Sequence, residues 1–330
     1  MQTIAILGAA GRFGEAAALA FLKAGWRVRG IARGPKLKTL AAGVEPVEAD
    51  AYDRQSLIAA CKGADVILHA LNPAYDQWDT TVLPLAENVL AAAQATGATV
   101  MIPGNVYNFG SAIAPGMKED DPANPDTQKG RLRVEMEALF ANAAEPSGVR
   151  TIVIRAGDFF GGKRPESWLD LMILKDLGKD KFTWPGPRGT LHAFAYLPDL
   201  AETFVQVAEK RAELPPFERL HFKGYAVTGS EMQAATEQTL GRDLKQAGAP
   251  WMLLRLIGLF NPVLREVAKM SYLWRVPHSL DNSRLEALIG LEPHRPLARA
   301  IGEAVTELGL DSGANAVPAR DGGAMELSRH

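Results

Sequence analysis

The sequence has little cysteine: Cys61 is the only one in 330 residues. A single thiol forms no intramolecular disulfide. With no cluster of cysteines and histidines, a structural zinc site is not expected either. Cys61 lies in an apolar, helix-like stretch and reads as a small buried hydrophobe. Charge of one sign is also lacking: 36 basic side chains face 38 acidic ones, a formal charge of −2. No basic run interleaved with aromatics occurs, which argues against a nucleic-acid partner. No stretch reaches the roughly 18 uncharged apolar residues that a spanning helix needs. The N-terminus has no positively charged leader, so no signal peptide is expected and the cytoplasm is the expected compartment.

What is present is the composition of a folded domain, 47% hydrophobic and 22% charged,. The length suits one large domain, or a nucleotide domain with a smaller lobe. Short apolar runs at Thr3–Leu7, Arg27–Ala32, Val44–Asp50, Asp65–Leu71, Ala98–Ile102 and Thr151–Arg155 read as buried strands,. Helical patterns alternate with them: Gly14–Ala24, Ser56–Cys61, about Thr81–Thr96, and Lys129–Ala144,. Apolar strands without polar alternation, each followed by a helix, predict a parallel sheet covered on both faces.

The region Val106–Asp126 is rich in Gly, Pro, Asp and Asn and reads as a long loop,. Beyond Arg155 the expected elements are a strand near Leu191–Tyr196, a helix from Asp199, a strand at Leu220–Gly224 and helices at Gly229–Gly241 and Asp281–Ile289. Residues 251–275 are apolar and helical. Arg255, Pro262 and Arg265 break up the apolar run that begins WMLLRLIGLF, which reads as a pocket wall or oligomer contact rather than a membrane surface,. The tail beyond about Leu310 is expected to fray.

The strongest motif is Gly8-Ala-Ala-Gly11-Arg-Phe-Gly14, between a strand and a helix. The first glycine permits a tight turn, the second lets backbone approach a pyrophosphate, and the third lets the helix pack closely on the strand. The helix N-terminus then offers N–H groups and a positive dipole end to phosphates. Gly8, Ala10, Gly11, Arg12, Phe13 and Gly14 are the expected phosphate-binding residues. The expected architecture is a Rossmann-type doubly wound sheet over residues 1–160, with 190–210 returning to it, a substrate lobe over 161–310 and a tail over 311–330.

The second strand ends at Ala32-Arg33 and not at the Asp or Glu that holds a ribose 2′-hydroxyl,. A guanidinium there suits a 2′-phosphate, so NADP is expected over NAD. Arg12 adds charge nearby. Strand ends supply the remaining contacts: Asp50 and Ala51 toward the adenine, Ala70, Leu71 and Asn72 after the fourth strand, and Asn105 near the nicotinamide.

These pieces resemble the extended and atypical short-chain dehydrogenases, the NAD(P)-dependent epimerase/dehydratase-like group. GAAGRFG is similar to that group's glycine motif and DVILHALNP to its fourth-strand motif. VIRAGDFFGG is similar to its sixth-strand motif, AYLPDLAETF with Asp199 to its later acidic segment, and SLDNSRLEALIG to its C-terminal element. The likeness runs over about residues 1–305.

The resemblance implies a catalytic Tyr-x-x-x-Lys pair, and this chain departs from it. Pro125 stands four residues before Lys129. Lys129-x-x-x-Arg133-x-x-x-Glu137 is instead similar to the helix of isoflavone-reductase-like members, in which a lysine alone serves the chemistry. Lys129 and Tyr107 are the candidate catalytic residues. His192 and His69 are possible neighbours, and Glu135 and Glu137 are expected to pair with Arg131 and Arg133 on a solvated helix face. Trp168, Trp184, Phe194, Trp251 and Trp274 suggest an apolar substrate pocket.

The expected activity is NADP-dependent oxidoreduction of a small carbonyl compound. An epimerase or dehydratase acting on a nucleotide sugar or polyol, and a non-catalytic NADP sensor, are the alternatives. A homodimer is compatible with the sequence, and no metal is expected.

Overall fold

The computed structural model describes residues 1–74 and 76–310; the expected tail at 311–330 lies outside them. The nucleotide half runs β1 (Thr3–Leu7), α1 (Arg12–Lys23), β2 (Arg27–Ala32), β3 (Glu45–Glu48), α2 (Arg54–Cys61), β4 (Val66–His69), α3 (Trp78–Thr96), β5 (Thr99–Gly104), α4 (Gln128–Ser147) and β6 (Thr151–Arg155). Then follow β7 (Asp158–Phe160), β8 (Lys181–Trp184), β9 (His192–Tyr196), α5 (Leu197–Glu209), β10 (Phe217–His221), β11 (Tyr225–Val227), α6 (Gly229–Leu240) and β12 (Lys245–Gly248). The chain closes with α7 (Trp251–Ile257), α8 (Pro262–Lys269), α9 (Ser283–Ile289) and α10 (Leu297–Glu307).

Seven strands form one parallel sheet in the order β10-β6-β5-β4-β1-β2-β3. Its strands are apolar because both faces are covered. Ile4, Ile6, Leu68 and Ile154 pack with Phe13, Phe21 and Phe204 of α1 and α5. Ala5, Leu7, Ile67 and Val153 alternate to the other face, against Leu57, Val89 and Phe140 of α2, α3 and α4,. The strand order reverses at β1, which has β2 on one side and β4 on the other. The crevice above that switch point is where doubly wound sheets bind ligands.

A smaller layer, β11-β9-β7 and the pair β12-β8, carries a third core of Phe160, Trp184, Phe194, Tyr225, Met232 and Ile301. Several boundaries differ from the sequence expectation. β10 starts three residues before Leu220, because its register is set by pairing Phe217–His221 with Thr151–Arg155. Residues 251–275 are no continuous helix: α7 and α8 are separated at Gly258–Asn261, and a short turn at Met270–Tyr272 follows. A 3-10 turn, Val106–Ala112, opens the expected loop, with the Asn105 side chain accepting from the Tyr107 amide at 3.0 Å.

Candidate functional site

The glycine loop is shaped by its own backbone. Gly8 has φ +83, and a Cβ there would lie 2.7 Å from the Ala70 carbonyl oxygen. A Cβ on Gly14 would lie 2.2 Å from the Gly8 carbonyl oxygen, so only glycine lets α1 start this close to β1,. Gly11 caps α1 without any side-chain hydrogen bond. An uncapped N-terminus beside a cradle that a Cβ would fill fits the pyrophosphate of a dinucleotide.

The side chains of this loop serve the fold. Phe13 packs on Phe204, ring centroids 4.9 Å apart. Arg12 donates from Nε and Nη2 to the Gly161 carbonyl, at 3.1 and 2.5 Å, and lies 3.9 Å from Asp170. Its guanidinium is thus committed to the turn after β7.

At the end of β2, Arg33 is half exposed. Its Nη1 lies 3.0 Å from Asp50 Oδ2, and its guanidinium sits over the Tyr52 ring at 5.9 Å. The two sequence candidates Arg33 and Asp50 therefore meet each other at the rim. Ala51 is tied down by Asn88, whose amide donates to its carbonyl at 2.9 Å. Ala70 and Leu71 are partly buried behind the glycine loop, and Asn72 is exposed.

A second group of residues gathers at the start of α4. Lys129, on the first turn of α4, is 3% exposed; Nζ lies 2.8 Å from Glu266 Oε2 and 5.6 Å from the Trp78 ring centre. Burial raises the Glu266 carboxyl, but hydrogen bonds from Lys129 and Lys269 outweigh it and hold it below the usual range,. Tyr107 is buried beside Trp78, ring centroids 6.5 Å apart. Arg133, one turn beyond Lys129, lies 4.7 Å from the same indole,. Lys129, Tyr107, Trp78 and Arg133 thus form one group. Asn105 turns its carbonyl to Arg155 Nη1 at 2.7 Å.

Glu137 corrects the expectation of solvated pairs on α4. It is 3% exposed and binds Arg155 Nη2 at 2.9 and 3.0 Å, Arg219 Nε at 3.0 Å and Asn108 Nδ2 at 2.9 Å. The α4 face bearing Glu137 is turned onto the sheet, where Arg155 ends β6. Glu137 lies two helical turns beyond Lys129 on α4, and the Glu/Arg pattern of the helix gives no sign of this burial. Glu266 and Tyr272 were missed as well. They come from a segment distant in sequence, and no spacing rule links it to α4. The Tyr272 hydroxyl is buried with no hydrogen-bond partner among the described residues, and burial, then Asp126 and Asp158, push its phenol up.

The two histidine candidates separate. His69 ends β4, and burial, with Arg133 nearby, pushes it down to about 3. His192 bonds Asp158 at 2.8 Å and stacks on Trp274 at 3.9 Å. The expected aromatic pocket is a packed core: Trp274 meets Trp168 at 5.4 Å and Trp184 at 5.3 Å, edge to face,. Asp199 is buried against Arg295 and accepts from its amide at 2.9 Å, so it ties α5 to the entry of α10.

The sequence matches the model of the NAD-dependent epimerase/dehydratase family over residues 4–221. The chain belongs to that family. Solved structures agree in fold. UDP-glucose 4-epimerase from Thermotoga maritima, solved with UDP-glucose, is 14% identical, with 93% of this chain and 98% of that one aligned at a TM-score of 0.76. The UDP-glucose 4-epimerase from Brucella ovis, in complex with NAD, is 16% identical over 94% and 99% of the two chains, TM-score 0.74. A Stenotrophomonas maltophila UDP-glucose 4-epimerase with bound NAD and formylated UDP-arabinopyranose is 15% identical over 93% and 98%, TM-score 0.75. No curated protein matches the sequence significantly. This family member has no tyrosine anywhere in α4. Among its described residues no helix is long and apolar enough to cross a membrane, and no acidic, histidine or cysteine cluster suits a metal.

Proposed function

We propose that this family member is an NADP-dependent oxidoreductase that reduces a small carbonyl-type substrate, with Lys129 handling the proton. The observation that carries the reading is the buried ammonium of Lys129 on the first turn of α4, held by Glu266 at 2.8 Å. It stands on the helix where the family resemblance leads one to look for a tyrosine. A bound nicotinamide dinucleotide supplies the hydride. Lys129 Nζ donates a hydrogen bond to the substrate oxygen and gives up its proton as that oxygen becomes a hydroxyl. Glu266 offsets the cost of holding the ammonium away from water. Trp78 and Tyr107 exclude water from the same spot. Arg33 and the missing carboxylate after β2 support NADP over NAD.

Turnover of NADPH with a panel of small aldehydes, ketones and enones tests the reading. Lys129→Met should keep NADPH affinity within about threefold and lower kcat at least ~100-fold, the usual scale of a proton-transfer group. Tyr107→Phe should lower it far less. Full activity of Lys129→Met rejects the role.

A further inference from the structure

Ten large hydrophobic side chains are exposed among the described residues, and six of them fall within nine positions: Met252, Leu253, Leu256, Ile257, Leu259 and Phe260. Their exposure runs from 41% at Ile257 to 91% at Phe260. WMLLRLIGLF, expected as a pocket wall or an oligomer contact, therefore presents most of its apolar side chains to solvent. On α7, positions 252 and 256 form one row and 253 and 257 the next, so the four share a face. Gly258 lets α7 turn back closely on α8; a Cβ there would lie 3.0 Å from the Arg265 backbone. Leu259 and Phe260 form the tip of the resulting helical hairpin. Its root is fixed: Trp251 donates from Nε1 to the Pro185 carbonyl at 2.6 Å, and Val267 and Met270 are buried.

The charge around this tip differs from that of the whole chain. Residues 249–277 carry Arg255, Arg265, Lys269 and Arg275 against one carboxylate, Glu266, whereas the protein as a whole has a formal charge of −2. Glu266 is itself neutralised by Lys129 and Lys269. An apolar tip carried by two helices that each bear an exposed arginine, Arg255 and Arg265, suits a surface with hydrocarbon below an anionic layer,. A second copy of the same hairpin would bring like charges together. Residues 311–330 offer only Val317, Met325 and Leu327 as larger aliphatic side chains, too few to cover six.

We infer that the α7–α8 hairpin docks on an anionic lipid bilayer, seating Leu256, Ile257, Leu259 and Phe260 among the headgroups and acyl chains. Because Glu266 of the same hairpin holds Lys129, docking sets the candidate chemical site next to the membrane surface.

Flotation of the full-length protein with vesicles tests this. With phosphatidylcholine vesicles containing phosphatidylglycerol the protein should float. With phosphatidylcholine alone the bound fraction should fall at least about tenfold, and salt should weaken it in the same sense. The double variant Leu256→Asp/Phe260→Asp should lose flotation while keeping the wild-type melting temperature, since both side chains are exposed. Arg255→Glu/Arg265→Glu, which leaves the apolar tip intact, should bind anionic vesicles at least about tenfold less. No flotation of the wild-type protein with anionic vesicles overturns the inference. So does equal flotation of wild type and Leu256→Asp/Phe260→Asp. A wild-type dimer that Phe260→Asp converts to monomer, without vesicle binding, would assign the face to a second copy instead.

Discussion

The glycine loop and the Lys129 group are built on different principles. The glycine loop is made by backbone: Gly8, Gly11 and Gly14 remove side chains so that α1 can begin against β1. The Lys129 group and the cluster beside it are made by charged side chains drawn from four segments: Lys129 and Glu137 on α4, Glu266 on α8, Arg155 on β6 and Arg219 on β10. A backbone site tolerates almost no added atom, whereas a side-chain site tolerates change of shape but not loss of a partner. The two should therefore fail in different ways.

The largest effect is expected at Gly14. Gly14→Ala places a Cβ 2.2 Å from one backbone oxygen and 2.9 Å from the Ala9 Cα, with no rotamer to relieve it. It should cost about 5 kcal/mol, at the top of the single-substitution range, and abolish dinucleotide binding. Gly25→Ala, at φ +80 with nothing within 4 Å, is the contrast and should cost only about 1 kcal/mol,. Similar melting temperatures for the two variants would break the distinction. In the charged cluster, Glu137→Ala leaves Arg155 buried without its carboxylate and should cost about 3–5 kcal/mol, read as lost denaturant stability,. A change under about 1 kcal/mol would show the cluster to be dispensable.

Acid should act on the buried histidines. Burial pushes His69 and His278 down to about 3 and His221 to about 4. Each is neutral when folded, while the unfolded chain takes up its proton as pH falls through about 6.5. Stability from these groups is complete above that pH and is lost as pH falls toward the folded values. From pH 6.5 to 5 each should contribute a loss of about 2 kcal/mol. A flat unfolding free energy over that interval would contradict the neutral assignment.

The smallest effect is at the rim. Arg33→Ala should weaken NADPH by roughly 10- to 100-fold, the scale of charge-assisted hydrogen bonds, and NADH hardly at all. Equal losses for both would remove Arg33 from 2′-phosphate recognition.

The same contrast explains how much the sequence disclosed. The strand–glycine–helix pattern made the nucleotide half legible because local backbone demands are written in adjacent residues, and β6 falls at Thr151–Arg155 as its apolar run predicts. That Lys129 lies on the first turn of α4 was legible from the helical pattern. Glu266 and Tyr272 were not, because only the fold brings residues 260–275 to residue 129. Glu137 was misread for a different reason: a helix rich in Glu and Arg looks solvated, and its charge pattern does not show that Arg155 lies beneath. The aromatics of the second lobe were visible, but composition does not separate a lined cavity from the packed cluster of Trp168, Trp184 and Trp274.

Fluorescence titration of the purified protein with NADPH and with NADH tests the central claim most directly. Saturable binding, with NADPH at least about tenfold tighter than NADH, is the result expected from the glycine cradle and Arg33. No binding of either nucleotide would contradict it, because the glycine cradle would then have no ligand.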